Sequence, residues 1–553
     1  MGKIYALFLA VLFACTSLAK TPISDEQRLF ATAKVWGFLK YYHPQVAKGK
    51  FDWDQELFDF LDKTRNVTTN DELSNHFITW IASLGTVKPR HSSEKPDKTI
   101  YFDRNLDLGW RNNTVLFSPE LAAQLQYIEQ SRHRGKSYYA STHSPTGNFN
   151  PLHEKEYKDA NWKDVRIRLL SLFRYWNQVE YFFPYKYMTD QKWDDVLWEM
   201  IPAFRDASTE LEYHQSMLRL VVKVDDTHAM FFSNVTNANF GYYWAPVEYK
   251  FVENKAIITR FFDADLAKAN DLRIGDIIES VNGVPTAEII ARQMPYISGS
   301  NRSSKLRQAY YCLLNGPTDS AEVTLERNGE TIRKTITRYY VKDFKSFDAP
   351  PIQKAWDILD GNIGYVNMGA LEFDVKAVDQ MMKRLKSTKS IIFDIRNYPN
   401  GTMYLIAMHL HAKEIPFAKL IAPDLDYPGR YKWTHDLKCG PTRQKSPYAG
   451  KVLLLVNEET QSHAEFTTMG LQVGPNVTTI GSQTSGADGN VSSLIFPGGF
   501  ATGISGLGVF YPDGTETQRR GVKIDLEVKP TIRGIREGRD EVMEKALELA
   551  NSF

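Results

Sequence analysis

The apolar positions fall into three successive patterns, and each predicts a different kind of structure. From about residue 24 to 240 they recur at helical spacing, which predicts a helical region. From about 245 to 340, short runs bounded by turn signals predict strands: Tyr249–Val252, Ala256–Ile258, and Leu272–Pro285 turning at Asn282-Gly283. Ala321–Leu325 and Thr331–Thr337 form a further hairpin around Asn328-Gly329, and a short helix spans Asp265–Asp271. From about 350, strand-length runs alternate with helical stretches. The strands are Ile363–Met368, Ser390–Ile395, Val452–Val456 and Val477–Gly481; helices are predicted over Lys376–Leu385 and Met403–Leu410 and from Ser462 onward. That order predicts an α/β layer with a largely parallel sheet, where chemistry gathers at the carboxyl ends of strands. The chain therefore reads as multidomain α+β.

The helical region repeats itself. Trp36-Gly-Phe-Leu-Lys-Tyr-Tyr-His-Pro44 is followed by Trp53-Asp54, and Trp176-Asn-Gln-Val-Glu-Tyr-Phe-Phe-Pro184 by Trp193-Asp194, at a constant offset of 140. A duplicated helical hairpin, each copy ended by its proline, accounts for this. Between the copies, roughly 86 to 160, a stretch rich in His, Ser, Lys and Asn reads as a linker or a poorly regular extension. The copies differ after their last apolar stretch. The second continues Asp225-Asp226-Thr227-His228-Ala229, whereas the first has Gly85-Thr86-Val87-Lys88.

The stretch Lys451–Gly489 carries the clearest chemical signal. Its buried-strand run ends in a polar turn, and Ser462-His463-Ala464-Glu465-Phe466 opens a helix. Two readings are open: Ser462 is an N-cap, or it is a nucleophile on a strand-to-helix turn with backbone N–H groups beside it for an oxyanion. Gly401 and Ser462 both follow predicted strand ends, which favours the second.

The 553 residues suggest three or four domains. With 67 basic and 66 acidic side chains and no basic cluster, nucleic acid is not the expected partner. Lys3 followed by the apolar Ile4–Cys15 and small residues at Ser17-Leu18-Ala19 reads as an export signal. Cleavage after Ala19 is the first expectation. Lipidation at Cys15, in the box Leu12-Phe13-Ala14-Cys15, is the second. Either route leaves the chain exported, periplasmic or on the outer surface, without a membrane span. Once the signal is removed only Cys312 and Cys439 remain, too few for a disulfide framework. No His or Cys pair has metal-ligand spacing, so neither metal nor cofactor is expected.

The run Ala264–Pro285 resembles a PDZ domain, whose members bind extended peptide at a sheet edge. The order helical cap, PDZ, Asp394-Ile-Arg-Asn with Gly401, Ser462-His-Ala-Glu-Phe466 and Gly481-Ser-Gln-Thr-Ser-Gly486 resembles the C-terminal processing (tail-specific) serine peptidases. The branch it is most similar to is the one typified by the tricorn core. The resemblance implies five segments: a signal peptide (1–19), a helical repeat with its polar linker (20–150), a second repeat acting as a cap (151–242), a PDZ-like domain (243–342) and a crotonase-like α/β peptidase domain (343–553). It implies a peptide or unfolded-protein substrate, with Ser462 as nucleophile and the N–H groups of His463 and Gly401 as oxyanion donors. Asn400 stands where glycine is common, which leaves the register at Gly401 open.

The family divides over its base. The lysine of one branch falls on Ala487, and no lysine occurs from 452 to 519. The histidine of the other falls on His228, preceded by Thr227, whose hydroxyl would orient the ring. An imidazole suits proton transfer near neutral pH. The acid of that branch falls on Gln518, with Glu516 two residues earlier. His463 is a rival base, but adjacent side chains at a helix start diverge by about 100°. Asp394 and Arg396 would brace the oxyanion loop, and Asp488 could meet a substrate amine or serve a turn. Two rivals remain, an inactive PDZ-containing peptide-binding scaffold of the same fold and a small-ligand binder.

Overall fold

The structure, a computed structural model, describes residues 22–89, 97, 99–344, 354–443 and 445–552. The export signal with Cys15 and Ala19 lies outside the described residues. Seven helices build the N-terminal half: α1 (Asp25–Tyr42), α2 (Trp53–Thr64), α3 (Asn70–Ser83), α4 (Pro119–Gln130), α5 (Val165–Phe182), α6 (Trp193–Arg205) and α7 (Glu210–Val222). The repeat proves to be a three-helix unit rather than a hairpin, because α1–α3 and α5–α7 begin at the same offset of 140.

Each copy is pinned by the same device. The Trp36 indole donates to the Trp53 carbonyl at 3.0 Å and Trp53 returns the bond at 3.1 Å. Trp176 and Trp193 exchange bonds of 2.8 and 3.0 Å in the same way. All four rings are buried, so each indole N–H needs that partner. The copies are then cross-linked by ion pairs, Lys34 to Asp194 at 2.5 Å and Arg174 to Asp54 at 2.7 Å. The intervening stretch is more ordered than a linker. Ser118 caps α4, and Phe117, Leu121 and Leu125 are buried together with several polar residues, among them Asn105, Arg132 and Asn148.

Between 247 and 337 an antiparallel sheet orders its strands β5–β4–β3–β2–β1, with β1 (Val247–Val252), β2 (Lys255–Phe261), β3 (Ile277–Val281), β4 (Ser320–Arg327) and β5 (Glu330–Thr337). Asn282 and Asn328 take positive φ in the predicted turns. This unit is fastened to the C-terminal layer. Lys250 pairs with Glu459 at 3.2 Å, and Arg307, from the short helix α8 (Arg302–Gln308), bonds the Gln461 side chain at 2.5 Å.

The C-terminal layer is the predicted one. Strands β7 (Ile363–Asn367), β8 (Ser390–Asp394), β9 (Lys451–Val456), β10 (Val477–Gly481) and β13 (Leu526–Glu527) run parallel, with β6 (Trp356–Leu359) antiparallel at one edge. The β9 run is apolar throughout because both faces are covered. Leu454 and Val456 pack with α9 (Val375–Leu385), α10 (Met403–Leu410) and α11 (His463–Gln472), whereas Leu453 and Leu455 face α12 (Glu541–Asn551). Gly481 ends β10 at φ 138°, where a Cβ would lie 1.8 Å from the Val456 carbonyl, so only glycine fits. A hairpin of β11 (Val491–Phe496) and β12 (Phe500–Ser505) then leans on the helical half, with Phe496 stacked on Tyr175 at 4.9 Å. Among the described residues, no helix is long and apolar enough to cross a membrane.

Candidate active site

Ser462 does sit at the N-cap of α11, yet its backbone is unlike the other caps. Ser24, Ser118 and Ser233 cap their helices in extended conformations, whereas Ser462 has φ 56° and ψ −121°. A non-glycine residue held there is strained by roughly 1–3 kcal/mol, so the surroundings must over-determine it. They do. The Ser462 N–H donates to the Ala487 carbonyl at 2.9 Å, and Thr460 ties the turn to β8 through its hydroxyl on the Ile395 carbonyl at 2.8 Å.

Glu465 is the bracket behind the turn. Fully buried, it accepts from the N–H of Gly486 at 2.8 Å, Ala487 at 3.0 Å and Ser462 at 3.3 Å, and from the Thr484 hydroxyl. Burial pushes its carboxyl up, while these donors pull against the shift. Asp488 follows in the same loop. Its Oδ1 accepts from the Gly489 N–H at 2.6 Å, and its Oδ2 is buried without a partner. Burial, with Glu465 adding to it, pushes this carboxyl well above the usual range. Ser462 opens into a cavity of about 330 Å³ walled by Leu420, Phe466, Val491, Leu507 and Val509.

The two expected oxyanion donors flank this turn. His463 is the first residue of α11, and Gly401 takes φ 81° in the loop after β8. A Cβ on Gly401 would lie 3.9 Å from Nε2 of His463, which brings that loop and the α11 N-terminus together. The His463 ring sits beside Tyr398 and Phe466 with Nε2 buried and unpartnered, and it makes no hydrogen bond to Ser462. Asn400 anchors the loop by donating to the carbonyls of Gly369 and Leu371 at 3.1 and 3.2 Å. Arg396 braces it from the other side, bonded to Asp394 at 2.7 Å and to Asp540 at 2.8 Å.

His228 follows α7 and lies over the β11–β12 hairpin. Its Nδ1 is 2.8 Å from the Ser505 hydroxyl, and Val491, the register partner of Ser505, lines the Ser462 cavity. His228 and Ser462 are not hydrogen-bonded to each other. Catalytic hydrogen bonds often close only when substrate is bound. Burial lowers the His228 pKa from its ordinary 6.5; Asp226 opposes that shift and Arg307 adds to it.

Other expected partners lie elsewhere. The Thr227 hydroxyl is 3.0 Å from Ser300 Oγ and 3.5 Å from the Ser485 carbonyl, so it fixes the loop rather than the ring. Glu516 is held away by Arg104 at 2.7 Å and Tyr187 at 3.3 Å. Gln518 is fully buried and reaches the site only indirectly, its amide donating to Asp226 at 3.3 Å. Sequence reasoning passed over Asp226, Ser505 and Glu465. The Asp-Thr-His spacing could have flagged Asp226, but nothing local marks Ser505.

Known proteins supply an independent comparison. Residues 362–528 match the sequence model of peptidase family S41. No curated protein matches the chain. Mature CPAF complexed with lactacystin superposes with a TM-score of 0.54 at 14% identity, over 70% of this chain and 98% of its own. A serine-to-alanine mutant of CPAF gives 0.55 at 14%, over 70% and 97%. The tricorn protease gives 0.35 at 12%, over 70% of this chain and 37% of its own. The CPAF likeness is one of fold, while the matched segment contains Ser462, Glu465 and the whole loop between them and Asp488. Residues 362–528 thus carry the sequence pattern of peptidase family S41.

Proposed function

We propose that this chain is an exported serine peptidase in which Ser462 is the nucleophile and His228 its base. The observation that carries the reading is the strained backbone of Ser462 on a strand-to-helix turn, at the mouth of a cavity. In this reaction Ser462 Oγ attacks the scissile carbonyl and its proton passes to Nε2 of His228. The N–H groups of His463 and Gly401 receive the developing oxyanion. His228 then returns the proton to the leaving amine, and water releases the acyl group. The PDZ-like sheet, joined to the turn before Ser462 through Arg307, would hold the extended peptide or unfolded tail, and the cavity beside Ser462 would take a side chain next to the scissile bond. Export follows from the signal-like N-terminus, by release at Ala19 or anchoring at Cys15.

A fluorophosphonate probe tests this. The expected adduct maps to Ser462, disappears in Ser462→Ala, and forms at least about a thousandfold more slowly in His228→Ala. Folded wild type that takes no label would instead favour the peptide-binding scaffold, the reading that Ala487 and Gln518 motivate.

A further inference from the structure

A base that serves Ser462 must keep one nitrogen bare, and which nitrogen that is depends on what holds the other. The ring of His228 is held by a single hydroxyl, that of Ser505, at 2.8 Å from Nδ1. Behind it stands Asp226. Its Oδ1 is 3.0 Å from Ser505 Oγ, and its Oδ2 accepts from the Ser505 N–H at 2.6 Å. Two further donors converge on Oδ1, the His228 N–H at 3.1 Å and the Gln518 amide at 3.3 Å. Asp226 is 1% exposed and Ser505 is fully buried, so water does not screen the pair. Oδ1 lies 3.9 Å from Nδ1, too far for a direct bond. Only Ser505 can connect them.

We propose that Asp226 and Ser505 are the positioning pair of this site: the carboxylate, acting through the hydroxyl, keeps the proton of His228 on Nδ1 and leaves Nε2 as the basic nitrogen. This rests on the reading of His228 as the base. The argument is a proton count. A carboxylate only accepts, and Ser505 has one O–H proton to give. Donated to Asp226, it leaves Ser505 Oγ as an acceptor facing Nδ1, which must then carry hydrogen. The reverse arrangement would set two oxygen acceptors against each other at 3.0 Å. Through the reaction the Nδ1 proton stays in place. The Ser462 proton goes onto Nε2 and leaves with the amine, and the imidazolium formed in between faces the negative charge through Ser505. Glu516, tied to Arg104 and Tyr187, has no part in this arm. Gln518 contributes by fixing Asp226.

The test reads the tautomer and the chemistry separately. In the full chain with isotope-labelled histidine, nitrogen NMR signals of His228 are assigned by their loss in His228→Gln. Wild type is expected to show protonated Nδ1 and bare Nε2. In Asp226→Ala the Ser505 hydroxyl loses its acceptor and is free to turn its proton onto Nδ1, so the Nδ1–H preference should be lost and Ser462 labelling should fall by roughly 10²–10⁴-fold. Ser505→Ala should lose the Nδ1–H preference and label more slowly by about tenfold or more. If Asp226→Ala fails to fold, Ser505→Ala, which removes only one hydroxyl, decides alone. A protonated Nε2 in wild type, or a tautomer unmoved by these variants, overturns the pair even where Ser462 labels and His228→Ala abolishes it. The expected tautomers in a protein that never labels would uphold the pair and overturn the peptidase reading.

Discussion

The two copies of the helical repeat share a scaffold and part company at one end. Both use the reciprocal tryptophan bonds, and their charged residues interlock, Lys34 on Asp194 and Arg174 on Asp54. After the third helix the equivalence stops. Asp226, Thr227 and His228 correspond to Thr86, Val87 and Lys88. Thr86 and Lys88 are exposed, whereas Asp226 and Thr227 are buried against Ser505, Ser300 and the Ser485 carbonyl. What differs is the neighbour. The second copy ends against the β11–β12 hairpin and the Ser485 loop of the C-terminal layer. In the proposed reading, a duplicated scaffold thus supplies rigidity twice and chemistry once.

The strongest way to break that contrast is to exchange the ends. His228→Lys, which installs the residue of the first copy, is expected to slow fluorophosphonate labelling of Ser462 by about 10⁴-fold. The converse Lys88→His should change nothing, because that site is exposed. Equal effects from the two exchanges would refute the division of roles.

A second substitution probes the shared scaffold. Asp54→Ala takes a hydrogen-bonded partner from Arg174, whose side chain is 1% exposed. Breaking a buried pair in this way costs about 3 kcal/mol, less than a full stranding because Glu154 remains 3.1 Å away. Chemical denaturation reads that loss. Labelling per folded molecule should stay within a few-fold of wild type, since nothing in the Trp–Trp core touches the reacting atoms. A tenfold drop would mean that the scaffold tunes the site directly.

Much of this was legible in the chain because it rests on local patterning. The offset of 140, the doubly apolar β9 and the serine following it are properties of neighbouring residues. Period and turn chemistry are enough to find them. The acid arm of His228 was not legible. Ser505 lies 277 positions away, and only the β11–β12 hairpin brings it over. The resemblance assigns the Thr227 hydroxyl to the ring, and the structure turns it toward Ser300, 73 positions away, a contact no local pattern marks. Glu516 is acidic and near the expected position, yet Arg104 and Tyr187, far upstream, hold it elsewhere. The polar stretch between the copies read as linker because its many polar residues mask Phe117, Leu121 and Leu125, which carry its packing.

The crossing of the two copies offers a smaller test. Gly37 on α1 and Asn177 on α5 are repeat equivalents that face each other. A Cβ on Gly37 would lie 1.7 Å from Asn177 Oδ1. The amide has little room to yield, because Nδ2 is bonded to the Ala33 carbonyl at 3.0 Å and the Phe173 carbonyl at 2.8 Å. Gly37→Ala should therefore destabilise by about 1–3 kcal/mol despite the better helix propensity of alanine. Adding Asn177→Gly should recover part of that loss, since the clash is then gone. An additive double mutant would show that the crossing is not where the copies meet tightly.

The smallest effect expected is on pH. In the proposed reaction neutral His228 is the active form, and burial lowers its pKa below 6.5. The acid limb of the labelling profile should then fall below 6.5, with activity kept as pH drops toward that value. Stability follows the same sign. The unfolded chain binds the proton more readily, so the contribution of a neutral buried His228 is present above about 6.5 and is lost as pH falls through it. Burial is the larger cause and Arg307 adds to the lowering with its positive charge, so Arg307→Ala should move the midpoint up. The midpoint must be read rather than the rate, since Arg307 also holds Gln461, beside the nucleophile. A wild-type midpoint above 6.5, or a downward move in Arg307→Ala, would mean that His228 is not the group titrating. Lys88 is exposed at the equivalent end of the first copy, so Lys88→Ala should leave the whole profile where it was.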